Sequence, residues 1–271
     1  MRKMICAVTL FAAASTALFA AENLIQGGDG ESDAANWPGA TINTASPKSG
    51  GGCLEFADRK WVYSKQSFKI DDTKTYTLKM SMRSADPAKL SSGYIGIAMY
   101  DADGKVINSH HAGTVAGTET TLAEAVASGA KEIKVADASS WKPRNQVAFD
   151  VKSDLSDLPN RNVFGPAESI EQDGDVWKVT LLGAVRGDFA AGTPVRQHVS
   201  ATGQSYGILA GKTVPAEWTD YSVTISGRDL GKAAATKFWP TAATFKVCLV
   251  PNYNKKVDSV LLIDDISLTE E

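Results

Sequence analysis

Between Thr75 and Arg83 the sequence alternates without a break: Tyr76, Leu78, Met80 and Met82 are apolar, while Thr75, Thr77, Lys79, Ser81 and Arg83 are polar. Successive side chains of a strand point to opposite faces, so this period of two predicts a strand with one face in a core and the other towards water. The pattern recurs. Ile95, Ile97 and Met99 alternate with Tyr94, Gly96, Ala98 and Tyr100, and Asp101-Ala102-Asp103-Gly104 then signals a turn into a hairpin with Lys105-Val106-Ile107. Further on, Tyr221, Val223 and Ile225 follow Trp218, then come Phe245, Val247 and Leu249, and last the apolar run from Leu261 to Leu268. A helical period is almost absent; only Thr120 to Ser128, with Leu122, Ala125 and Val126, has room for a turn or two of helix. Many short strands separated by Gly, Pro, Asn and Asp predict an all-β chain built as a sandwich or barrel.

Residues 1–20 have another texture: Arg2 and Lys3, an apolar run from Met4 through Ala14, then small residues around Ser15-Thr16-Ala17 and Ala20-Ala21. That is the pattern of a secretory signal peptide. The run is shorter than the ~20 residues a membrane span needs, and no second one follows. The expectation is a protein that is secreted, periplasmic or at the cell surface, with no membrane span. Cys6 leaves with the signal, and the remaining Cys53 and Cys248 form either one long-range disulfide or two free thiols. Lys and Arg number 28 against 31 Asp and Glu, with no long block of either sign, which argues against nucleic acid as a partner.

About 250 residues then remain, enough for one large domain or two modest ones. Between about 113 and 198 the strand runs are interleaved with unlike turns: Lys131 to Val135, Gln146 to Val151, Val176 to Leu182 and Pro194 to Val199 read as strands, and Lys152 to Ala167 as an irregular loop. The predicted organisation is a signal peptide at 1–20, a discontinuous domain of 21–112 and 199–271, and a small β-rich subdomain of 113–198 inserted into it. Two consecutive domains would leave the strands after Tyr206 without partners of their own kind.

The ends of that discontinuous domain carry a resemblance. Asn23-Leu24-Ile25-Gln26-Gly27-Gly28-Asp29-Gly30-Glu31, followed by Trp37, resembles the opening strand of the galactose-binding-like jelly-roll carbohydrate-binding modules of secreted bacterial proteins. Leu261-Leu262-Ile263-Asp264-Asp265-Ile266-Ser267-Leu268 is similar to their final strand, and Gly52 to Phe56, Tyr76 to Arg83 and Glu217 to Tyr221 fit the order of the strands between. Gly30 stands where those modules have a buried Phe, and Gly27 where they have Asn. The resemblance implies a jelly-roll β-sandwich, sugar binding without catalysis, and a structural calcium between first and last strands, with Asp29, Glu31 and one of Asp264 or Asp265 as its ligands.

Parity nominates the binding face. Val62, Phe68 and Ile70 share one parity and pack inward, which turns Arg59, Trp61, Tyr63, Lys65 and Lys69 to the other side. Alternate residues of a strand stand ~6.6–7 Å apart, the scale of a sugar ring, so Trp61 and Tyr63 suit neighbouring units of one polysaccharide chain. Tyr94 and Tyr100 turn outward likewise, with Gly96 and Ala98 leaving a shallow groove between them. If the two strands share a sheet, the four rings line one groove, and the interleaved Arg59, Lys65, Lys79 and Arg83 favour an acidic or sulfated chain.

Other constellations point elsewhere. His110, His111 and His198 flank the insertion at both junctions, as loop histidines or, less readily, as a zinc or copper site. Asp150, Asp154 and Asp157 lie on or beside the long loop, and nothing in the sequence sets two of them across a bond as a glycosidase requires. No nucleophile elbow, zinc-protease or phosphate-loop motif occurs, so no catalytic residue is assigned. Two alternatives to sugar binding stay open: a structural or adhesive surface protein that meets protein partners through the inserted subdomain, and a polysaccharide-degrading enzyme.

Overall fold

A computed structural model describes residues 22–253 and 258–271. The expected signal peptide lies outside the described residues. The chain first forms β1 (Thr41–Asn43), β2 (Cys53–Phe56), β3 (Val62–Tyr63), β4 (Phe68–Lys69), β5 (Thr75–Ser84), β6 (Ser92–Tyr100) and β7 (Val106–Ile107), then a single helical turn, α1 (Ser109–Ala112). There follow β8 (Thr120–Thr121), β9 (Glu132–Val135), β10 (Gln146–Phe149), β11 (Val163–Phe164), β12 (Ala167–Asp173), β13 (Val176–Leu181) and β14 (Pro194–His198). The chain ends with β15 (Ser205–Thr213), β16 (Thr219–Ser226), β17 (Thr244–Val250) and β18 (Leu261–Glu270).

These strands make an all-β fold, a jelly-roll sandwich with a small β subdomain inserted. One sheet has the order β1-β2-β18-β5-β16, the other β15-β6-β17-β3, with β4 also on β17 and β7 on β6. Tyr76, Leu78, Met80 and Met82 of β5 face Ile95, Ile97 and Met99 of β6 and Phe245, Val247 and Leu249 of β17 across one apolar core, the division that the alternation predicts. Strands β8 to β14 pair only among themselves, as β11-β10-β14-β8 and β12-β13-β9, around a separate core that includes Ile133, Phe149, Val179 and Val195. Its ends are close: Val199 N donates to Gly113 O at 3.0 Å, and Thr114 bridges to His198.

Two local expectations are corrected, and the alternative left open for the cysteines is decided. Asn23 to Glu31 is irregular backbone with bends rather than a strand, because Gly27 and Gly30 take positive φ and Gly30 lies on Cys53; a Cβ there would sit 2.6 Å from the Cys53 Cα. No phenylalanine fits that position. Trp37 is nevertheless fully buried, its Nε1 donating to Gly27 O at 2.7 Å. Thr120 to Ser128 holds a short strand and turns, not helix. Cys53 and Cys248 are buried free thiols on the outer faces of opposite sheets, so they cannot be bridged. Burial raises the Cys53 thiol to about 11 and that of Cys248 to about 12.

Candidate functional site

The outer face of the β15-β6-β17-β3 sheet carries an aromatic layer. Strand β17 lies between β6 and β3, pairing Cys248 with Gly96 on one side and with Tyr63 on the other. The residues of outward parity are therefore Tyr94, Ala98 and Tyr100 on β6, Lys246, Cys248 and Val250 on β17, and Tyr63 on β3. Ala98, Cys248 and Val250 are wholly buried beneath Tyr63, Tyr94, Tyr100 and Tyr206, which are themselves half-buried. Tyr94 stacks obliquely on Tyr206 at 5.0 Å and edge-on to Tyr253 at 4.5 Å between centroids. Arg59 lies over the Tyr253 ring at 4.5 Å. Trp61, two residues before Tyr63, is 51% exposed.

Desolvation dominates the electrostatics of this layer. It raises the Tyr63 phenol to about 12, with Cys248 and Tyr100 adding to the shift, and it raises Tyr100 and Tyr206 too. Tyr63, Tyr100 and Tyr206 thus remain neutral at physiological pH. The Tyr206 hydroxyl is buried, with no partner of good hydrogen-bond geometry among the described residues.

Sequence parity placed Arg59, Trp61, Tyr63, Lys65, Tyr94 and Tyr100 on or beside one sheet, and the structure brings them there. It removes two others. Lys79 and Arg83 belong to β5, in the opposite sheet, where Arg83 lies over Trp218 at 5.6 Å. Alternation reports which face of its own strand a residue takes, not which of two sheets the strand joins. The groove over Gly96 is also filled. Strand β15 slips register between Ser205 and Leu209, and the slack carries Ser205 to Gly207 across Gly96, where a Cβ would meet Ser205 O at 2.0 Å. That detour delivers Tyr206 to the aromatic layer. Sequence reasoning missed Tyr206, Tyr253 and Lys246, although the outward parity of Lys246 was readable from Phe245 and Val247.

Of the carboxylates expected to hold calcium, Asp29 and Asp265 line one depression with Asn23, Gly27 and Gly28. Among the described residues no three His, Cys, Asp or Glu come together as metal ligands. Glu31 accepts from Gly51 N with both oxygens at 2.9 Å, and Asp29 Oδ1 accepts from Glu31 N at 3.2 Å. Asp264 is fully buried and takes backbone N–H bonds from Lys48, Ser49 and Asp265, while Asp265 accepts from Ser49 Oγ. Backbone amides and a hydroxyl thus supply hydrogen bonds to these acids. Burial still raises the Asp264 carboxyl above its ordinary value.

The three histidines do meet, at the junction of the two cores. Fully buried His198 accepts from Arg196 Nε through its Nε2 at 3.0 Å, and its Nδ1 lies 2.7 Å from His110 O. Because an arginine only donates, the geometry assigns the neutral tautomer with the proton on Nδ1. His111 Nδ1 faces Asn108 N at 3.2 Å and Arg161 at 3.0 Å, and the rings of His110 and His111 are 4.1 Å apart. Burial first, and neighbouring cations and imidazoles second, depress all three, to about 4 for His110 and His198 and about 3 for His111. The acids of the long loop are committed too. Asp157 pairs with buried Arg196 at 2.6 Å, Asp154 caps Ser156 N, and Asp150 accepts from Asn162.

The sequence matches no protein-family model and no curated protein. Solved structures similar to this chain include the CBM22-1 xylan-binding domain from Paenibacillus barcinonensis, at 9% identity and TM-score 0.40 over 94% of this chain and 97% of that one. A second is a family 16 carbohydrate-binding module, at 10% identity and TM-score 0.34 over 91% and 99%. A third, a putative sugar binding protein from Bacteroides thetaiotaomicron, aligns at 10% identity and TM-score 0.26 over 89% and 86% of the two chains.

Proposed function

We propose that the protein binds an extracellular polysaccharide, without cleaving it, on the tyrosine-lined outer face of the β15-β6-β17-β3 sheet. The observation that carries this reading is the aromatic layer itself: four half-buried tyrosines lie against a sheet face, with Tyr253 and exposed Trp61 at its rim. Rings seated this way are held rigid by the sheet, lose little freedom on binding, and offer flat apolar surface to the C–H faces of sugar rings. Lys65 and Lys246 have outward parity on the same face, and neither takes part in an ion pair among the described residues. With Arg59 they favour an acidic or sulfated chain. The reading includes export through the 1–20 segment, and a 113–198 subdomain that leaves the tyrosine face to the host sandwich.

Affinity electrophoresis through gels containing xylan, alginate or carrageenan tests it. Retardation by alginate or carrageenan is expected. Trp61→Ala with Tyr63→Ala should abolish it while the circular dichroism stays unchanged. Equal retardation of the double variant, or free migration through every gel, would reject this face as the binding surface.

A further inference from the structure

We infer that the opposite sheet carries a second, independent site, for a neutral sugar unit. A depression of about 450 Å³ opens on the outer face of β16, β5 and β18, within the usual range of small-ligand sites. Its cause is visible in the register: β18 slips between Asp264 and Ser267, and Asp265 takes the left-handed φ of 54°. A non-glycine residue there is mildly strained, and this one lines the depression with its Oδ2 3.7 Å from Lys48 Nζ.

The cross-strand pairing lays polar groups out as a grid. Lys79 pairs with Ser222 on one side and Ser267 on the other, and Ser81 pairs with Asp220 and Asp264. Rows on a sheet stand ~6.6–7 Å apart and strands ~4.8 Å apart, so the floor matches one or two sugar rings. Part of the grid is already locked. Lys48 Nζ donates to Ser81 Oγ at 2.7 Å and to Asp220 Oδ1, and Ser81 Oγ donates to that same oxygen at 2.6 Å. The Lys48 backbone is in turn held by Asp264 at 2.9 Å. Other groups remain open. Asp220 Oδ2 makes no hydrogen bond and Lys79 no ion pair among the described residues, and the Asp220 side chain is 76% exposed.

An open carboxylate oxygen beside an open ammonium and serine hydroxyls suits a ligand that both donates and accepts at short intervals, as a polyhydroxylated ring does. Lys48 and Lys79 balance Asp220 and Asp265, so a net charge on the ligand gains nothing here. The site differs in this from the cationic tyrosine face, and it stands whether or not that face binds polysaccharide. The two sites lie on opposite sides of the sandwich, so together they would join two separate chains.

The test is an amide chemical-shift titration of the isotope-labelled full chain with methyl glycosides of glucose, galactose, xylose and mannose, and with glucuronate. At least one neutral glycoside should shift the amides of Lys79, Ser81, Asp220, Ser222 and Ser267. Lys79→Ala, which removes an exposed side chain with no ion pair among the described residues, should weaken that binding roughly tenfold, and Asp220→Asn should do likewise. Shifts at Tyr63 and Tyr206 should survive both variants. The inference is overturned if no glycoside moves these amides, if neither variant weakens the effect, or if glucuronate binds more tightly than every neutral sugar. Movement confined to Tyr63 and Tyr206 would overturn it while leaving the tyrosine face standing.

Discussion

Lowering the pH from 7.5 to 5.0 should destabilise this protein through three histidines, and His198→Asn should remove a measurable part of the effect. In the folded state burial and adjacent cations hold His110, His111 and His198 at about 4, 3 and 4, against about 6.5 in an unfolded chain. Where a folded pKa is depressed, the unfolded state takes up the proton first. Stability is therefore complete above pH 6.5 and falls as the pH drops towards the folded values. At pH 5.0 each histidine is 1.5 pH units below its unfolded pKa, a difference of about 2 kcal/mol. His198 is fully buried and should show that in full, whereas His110 and His111 are partly reached by solvent and are discounted, for a total of about 4 kcal/mol. The acids with depressed values, Asp71, Asp101, Asp137, Asp154 and Asp220, lose their contribution only below about pH 3.9, outside this window. Asp264 acts in the opposite sense, because its carboxyl is raised by burial, so the comparison with a variant isolates the imidazole. Urea unfolding at both pH values measures the difference. The asparagine amide would still offer Arg196 an acceptor, and the loss between pH 7.5 and 5.0 should shrink by about 2 kcal/mol in His198→Asn. Equal losses in the variant and the parent would refute the assignment of His198 as a buried neutral acceptor.

Asp157→Ala strands the Arg196 guanidinium, which has no exposed surface, and should cost about 3–5 kcal/mol in thermal unfolding; an unchanged Tm would mean that the pair is not buried as described. Gly96→Val drives a side chain into the Ser205 carbonyl, so β15 must part from β6, with an expected loss of about 1–3 kcal/mol and an altered near-ultraviolet tyrosine signal from Tyr206. A native near-ultraviolet spectrum in that variant would count against the detour of β15. Cys53 and Cys248 should both react with a thiol reagent once the protein is denatured without reductant, and failure of the pair to react would contradict the placement of the two strands in different sheets.

The long strands of the host were legible because each is buried on one face alone, so β5, β6, β17 and β18 write their alternation directly into the sequence. Strand β12 was not. Glu168, Glu171, Gln172 and Asp173 leave both its faces polar, and it is a strand only because β13 supplies hydrogen-bond partners from a different part of the chain. The tyrosine face was half legible for a related reason. Tyr63, Tyr94 and Tyr100 follow from parity, but Tyr206 arrives through a register slip that depends on the absence of a side chain at Gly96, a residue on another strand. Lys79 and Arg83 were sent to the wrong sheet because parity carries no information about layer. The carboxylates near the chain ends were legible as acids, but the backbone N–H groups of Lys48, Ser49 and Gly51 that hydrogen-bond Asp264 and Glu31 are donors that every sequence possesses and none advertises.

The hydrogen bond between Val199 N and Gly113 O makes the attachment of the 113–198 subdomain a socket rather than a splice. Two backbone positions that close have Cα atoms only ~5 Å apart, the span of a tight turn. Any module whose own ends meet at that distance fits the opening without moving a strand of the host, and so does a plain hairpin loop. Replacing the subdomain would forfeit its contacts with the host, among them Arg161 to Asp101, Val106 O and His111, Asn160 N to His111 O, His198 to His110 O, and Thr114 N to Gly231 O.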